Sequence, residues 1–122
     1  MNHIVLVCGG RTYADRAVLF KMLDKEHAEK PIDLLVTGGA RGADFHAEQW
    51  ARFRNVPVRV FPAEWERHGK AAGPIRNQQM LDEAMPNRVV AFPGGPGTLD
   101  MLARARKSLT VRTILVVTEK SP

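Results

Sequence analysis

Three times in 122 residues, a short apolar stretch runs directly into a glycine-rich turn. The turns are Cys8-Gly9-Gly10-Arg11-Thr12, Thr37-Gly38-Gly39-Ala40-Arg41-Gly42-Ala43-Asp44 and Phe92-Pro93-Gly94-Gly95-Pro96-Gly97-Thr98. Each is followed by apolar residues at helical spacing, so each closes a strand and opens a helix. Strands that are apolar almost throughout belong to a parallel sheet covered on both faces. Strands are predicted at His3–Cys8, Ile32–Thr37, Val56–Phe61, Arg88–Phe92 and Arg112–Val117, and helices at Ala14–Ala28, Ala43–Arg54, Pro74–Met85 and Thr98–Ser108. Right-handed crossovers then give an α/β fold: a Rossmann-like, doubly wound parallel sheet of about five strands with helices on both faces. Such sheets bind ligands beyond the carboxyl ends of the strands, where all three turns fall.

The helical spacing also predicts which side chains face the core. They are Val18, Leu19, Met22 and Leu23 in the first helix, and Ala43, Ala47, Trp50 and Ala51 in the second. Ile75, Leu81, Ala84 and Met85 follow in the third, and Leu99, Leu102 and Ala103 in the fourth. The connection Pro62–Gly73 is long and polar and carries Trp65, His68 and Lys70; loops of that length in compact domains usually serve function.

The length fits one domain, 1–122. Hydrophobic residues at 44% and charged residues at 25% are ordinary for a globular core, which argues against disorder. The single cysteine, Cys8, excludes an internal disulfide and a cysteine-rich zinc site, and it reads as a small buried hydrophobe rather than a reactive thiol. The histidines, His3, His27, His46 and His68, lack metal-ligand spacing, so no metal is expected. Ser108 and Ser121 lie far from any glycine turn, against a serine-triad hydrolase. No apolar run reaches the roughly 18–20 residues of a membrane span, and the first residues lack a signal-peptide pattern, so a cytoplasmic protein without membrane partners is expected. The net charge of +5 favours anionic partners, but the basic residues are scattered.

The turns place unpaired N–H groups and helix N-termini on one edge, a setting for phosphate. Candidate ligand-binding residues are Gly9, Gly10, Arg11, Thr37, Gly38, Gly39, Gly42, Asp44, Pro93, Gly94, Gly95, Gly97 and Thr98. Thr98 can cap its helix or meet a phosphate oxygen. Arg76 and Asn77, expected in the first turn of the third helix, complete the set. An arginine there opposes the macrodipole and therefore needs an anion, or a partner such as Asp44 or Glu64. Neither the dinucleotide Gly-x-Gly-x-x-Gly pattern nor a Walker loop is present.

Together with Gly73-Pro74-x-Arg76-Asn77, these motifs resemble the SLOG superfamily, named for the Smf/DprA and LOG proteins, and within it the YspA-like (YAcAr, cpYpsA-related) domains of bacteria and phages. The resemblance spans about residues 3–117. It implies a Rossmann-like fold and a pocket for a nucleotide or nucleotide-derived ligand, with NAD and ADP-ribose relatives among the candidates, and it implies a homodimer. LOG enzymes resemble Pro-Gly-Gly-x-Gly-Thr-x-x-Glu, and their glutamate is catalytic in splitting base from ribose phosphate. Here Met101 stands at that position, and Asp100, one residue earlier, points about 100° away on a helix. The leading expectation is a nucleotide-binding sensor, carrier or sequestering module. The first alternative is a nucleotide N-glycosidase or phosphoribohydrolase using Asp44, Glu64 or Asp100. The second is nucleic-acid binding.

Overall fold

The structure, a computed structural model, describes residues 2–118; Ser121 and the two ends of the predicted 1–122 domain lie outside the described residues. Five parallel strands form one sheet in the order β3-β2-β1-β4-β5. They are β1 (Ile4–Cys8), β2 (Leu34–Thr37), β3 (Val58–Val60), β4 (Arg88–Ala91) and β5 (Thr113–Val116). The main helices are α1 (Arg16–Glu29), α2 (Ala43–Phe53), α4 (Ala72–Ala84) and α5 (Pro96–Lys107). A one-turn helix α3 (Trp65–His68) and a 3₁₀ turn (Gly69–Ala71) precede α4.

Alternation along the strands sorts the core into two layers. Val5, Val7, Leu35, Val90 and Phe92 face α1 and α2, where Leu19, Leu23, Ala47 and Trp50 are buried with them. Leu6, Cys8, Val36, Val89 and Ala91 face the other way, onto Met80, Leu81, Met101, Leu102 and Ala105 of α4 and α5. The sheet is therefore covered on both sides, as expected for a doubly wound Rossmann-like fold. The strand order reverses between β1 and β4, which pair from Val5 with Arg88 to Cys8 with Ala91. This switch point leaves a crevice at the carboxyl ends of the strands.

Four sequence expectations need correction. The connection Pro62–Gly73 is largely ordered into α3, the 3₁₀ turn and the start of α4. Because α4 starts at Ala72, Arg76 lies in its second turn and not its first. In α5 the inward stripe is Thr98, Met101, Leu102 and Ala105; Leu99 and Ala103 are exposed. Ile75 and Met85 are likewise exposed, Met85 because it ends α4 in the left-handed conformation (φ 49°). The second helix matches its predicted stripe, with Ala43, Ala47, Trp50 and Ala51 all buried, while Phe53 is exposed.

Candidate functional site

The crevice opens into a cavity of about 970 Å³. Its wall is made by the β1 turn from Gly9 to Tyr13, by Gly38, Ala40 and Asp44 after β2, and by the β4 turn from Pro93 to Thr98. Trp65, Lys70, Gly73, Pro74, Arg76, Asn77 and Met80 close one side, and Asp100 and Met101 of α5 another. Among the predicted site residues, Thr37, Gly39, Gly42 and Glu64 fall outside this lining. Thr37 is fully buried, and Glu64 faces solvent, ion-paired with Arg67 at 3.5 Å.

The three glycine turns interlock. The Gly10 N–H donates to the Pro93 carbonyl at 2.9 Å, and the Gly10 carbonyl accepts from the N–H groups of Ala43 (3.1 Å) and Tyr13 (3.2 Å). A side chain at Gly9 would lie 2.6 Å from Ala43 Cβ, and one at Gly10 would lie 2.9 Å from the Pro93 carbonyl. Gly94 is wedged between Thr98 Oγ1 and the Gly10 nitrogen. Gly42 adopts φ 74° against the Gly10 carbonyl, doubly requiring glycine. Much of the glycine content thus serves contact between turns, and several N–H groups expected to be free already have partners.

Gly95 and Gly97 differ. A Cβ at either would meet nothing within 4 Å, and both line the cavity. Gly97 lies in the first turn of α5, where glycine weakens the helix and no neighbour demands it. The N-cap of α5 is Gly95, with no side-chain cap, so the first-turn N–H groups lack a capping side chain. Pro96 at the first helical position gives up no donor that the helix would use. Thr98 sits two residues into the helix and is not its cap. The α2 N-terminus is already engaged: the Ala43 N–H goes to Gly10, and Asp44 occupies the first turn, where its charge repels an anion. The α5 N-terminus is the better anion cradle of the two.

The charged side chains of the cavity are unlike one another. Asp44 is buried and accepts the Ala40 N–H at 3.2 Å. Burial pushes its pKa up to about 6, against the opposing pull of the Ala40 and Gly38 N–H groups, Arg76 and Arg11. Asp100 goes the other way. Its partial burial raises the pKa, but hydrogen bonds from Arg104 (2.9 Å) and Asn77 (3.0 Å) outweigh that and hold it below the usual carboxylate range. Burial lowers the pKa of Arg76, while nearby Asp44 opposes the shift. The Arg76 guanidinium donates to the main-chain carbonyls of Gly38 and Phe61 and to Asn77 Oδ1 (3.1 Å), so it ties α4 to the ends of β2 and β3. The Asn77 amide also donates to the Gly97 carbonyl at 3.2 Å, which makes it a brace beneath the α5 turn.

The Arg11 guanidinium lies over the Trp65 ring, 5.0 Å from its centroid. Neither Trp65 nor Lys70 was singled out as a site residue by its motif; their only sequence signal is their place in the long polar connection. Burial, with Asp44 adding to it, pushes the Cys8 thiol up to about 12, which makes it a packing residue. Met101 is buried at the cavity floor and carries no acid–base capacity. Among the described residues no group of three or more His, Cys, Asp or Glu side chains is placed to hold a metal ion, and no helix is long and apolar enough to cross a membrane.

A parallel sheet whose switch-point crevice is walled by glycine turns defines a Rossmann-like domain of the SLOG type. The chain belongs to the YspA, cpYpsA-related SLOG family (YAcAr), which it matches over residues 3–68. It is also 38% identical over 112 residues to the Gene 61 protein of Mycobacterium phage D29, covering 85% of this chain and 89% of the phage protein.

Proposed function

We propose that the protein is a binding module for a small phosphorylated nucleotide or nucleotide-derived ligand, with ADP-ribose and NAD relatives in that class, and that it acts as a sensor, carrier or sequestering protein. The observation that carries this reading is the open space at Gly95 and Gly97. These two glycines have no packing partner to accommodate, and they face the cavity beside an uncapped helix N-terminus. A phosphate placed there would meet α5 N–H donors and the positive end of the helix dipole. Family membership is consistent with a nucleotide-related ligand. Thermal shift against AMP, ADP-ribose, NAD, cyclic nucleotides and ribose 5-phosphate tests the reading. At least one nucleotide should stabilise the protein strongly; folded protein that responds to none of them refutes it.

One observation favours a second reading, nucleotide N-glycosidase or phosphoribohydrolase activity. Asp44 and Asp100 line one cavity with pKa values shifted in opposite directions, as in many acid and charge-stabiliser pairs. In that reading Asp44, protonated near pH 6, donates to the leaving base, and Asp100 stays ionised. Release of free base from AMP that is abolished by Asp44→Asn supports it. A flat time course at high protein concentration removes it, and Met101 at the glutamate position of the LOG pattern weighs toward binding alone.

A further inference from the structure

Helix α3 is a single turn with no buried residue, yet it carries a tryptophan. Trp65 is 47% exposed and forms part of the cavity wall. A ring of that size contributes to a domain mainly through the area it buries, and here the fold leaves about half of it uncovered. The protein group over its face is the Arg11 guanidinium, 5.0 Å from the centroid. Arg11 itself is exposed, and it too lines the cavity. A planar cation resting on an indole face marks the geometry that a planar heterocycle would adopt.

We infer that Trp65 is the stacking face for the base of the ligand, so that the site takes nucleotides with an intact aromatic base in preference to sugar phosphates. This rests on the reading of the cavity as a nucleotide site. The phosphate lies at Gly95 and Gly97, and the base lies against Trp65 in the same cavity. Recognition is then read by two parts of one cavity lining, by charge at the α5 turn and by ring area at α3.

The test is calorimetric titration of AMP and of ribose 5-phosphate into the full chain, as wild type, Trp65→Ala and Trp65→Phe. Wild type should bind AMP more tightly than ribose 5-phosphate. Trp65→Ala should lose roughly 5- to 150-fold in AMP affinity, the range expected for one stacked base, while its ribose 5-phosphate affinity is unchanged. Trp65→Phe should keep most of the AMP affinity. AMP should also quench wild-type tryptophan emission but not that of Trp65→Phe, in which only the buried Trp50 remains. Equal AMP affinity in wild type and Trp65→Ala overturns the stacking proposal, and so does a parallel loss of both probes. Should Trp65→Ala fail to fold, quenching that persists in Trp65→Phe overturns it. Wild-type protein that binds ribose 5-phosphate as tightly as AMP overturns the stacking proposal alone. Wild-type protein that binds neither probe overturns the stacking proposal, and the nucleotide reading falls with it when the whole thermal-shift panel is silent as well.

Discussion

Replacing Gly97 with alanine separates the demands of folding from those of binding, because the two effects have opposite signs. Gly97 is helical, its φ is not positive, and a Cβ there meets no protein atom within 4 Å. Alanine should therefore stabilise the unliganded fold by about 0.5–1 kcal/mol through helix propensity and reduced unfolded-state entropy. With a melting entropy of roughly 2.1 cal/mol/K per residue, a 122-residue chain gains about 2–4 °C in Tm. The added methyl group occupies the space assigned to phosphate. A ligand at 100 times its Kd stabilises wild type by about 2.7 kcal/mol, which on the same scale is about 10 °C. In Gly97→Ala that shift should fall to near zero for whichever nucleotide stabilises wild type most. Differential scanning fluorimetry of both proteins, with and without that nucleotide, measures both effects in one experiment. A variant that is more stable and still shows the full ligand shift refutes the placement of the phosphate. A variant that is less stable refutes the claim that nothing in the fold requires this glycine.

Gly94→Ala should behave oppositely, because its Cβ collides with Thr98 Oγ1 and with the Gly10 nitrogen; urea denaturation should show a loss of about 1–3 kcal/mol without any ligand present. Asp44 has a folded pKa of about 6, above the ordinary value near 3.8, so its contribution to stability is full below pH 4 and is lost as pH rises through 6. Asp44→Asn should therefore match wild type near pH 4 and gain on it up to pH 7, by at most roughly 3 kcal/mol, in urea titrations across that range; a difference that does not vary with pH contradicts the burial argument. Glu26 is buried and ion-paired with the Arg88 guanidinium, which also donates from Nη2 to Glu26 Oε2 at 3.0 Å. Arg88→Ala should cost about 3 kcal/mol by leaving that carboxylate unpaired, and Glu26→Leu combined with Arg88→Met should recover most of the loss in the same denaturation assay.

The strand–helix alternation was legible because the three central strands are apolar almost throughout and each segment between strands carries apolar residues at helical spacing, from which a stripe can be drawn. Helix α5 shows where that fails. Leu99, Leu102 and Ala103 make one acceptable stripe, and Thr98, Met101, Leu102 and Ala105 make another; only the docking of α5 beside α4 on the sheet selects the second. The glycines posed a different problem. Absence of a side chain looks the same whether it admits another turn, as at Gly9 and Gly10, or leaves room, as at Gly95 and Gly97. Distances between residues remote in sequence decide that, and no local pattern carries them. Asp44 was legible as a helix-start acid but not as a buried one, since its burial depends on the closure of the cavity around it. Arg76 read as an anion ligand because its helix was expected to begin later than it does; its guanidinium mainly answers carbonyls at the ends of β2 and β3.

The hydrogen bond from Gly10 to Pro93 joins the first turn of the chain to its last glycine turn, and the same Gly10 carbonyl holds the start of α2. Its consequence is kinetic. Contacts between residues so far apart in sequence form only after a large loop has closed, which makes them slow and late. Strands β1 to β3 and helices α1 and α2 can associate while the chain is still emerging, but the wall of the cavity is incomplete until β4 docks beside the central strand β1 and its turn meets Gly10. Ligand binding should therefore be the last property acquired during refolding, and its recovery rate should report arrival of the native sheet order where secondary structure alone does not.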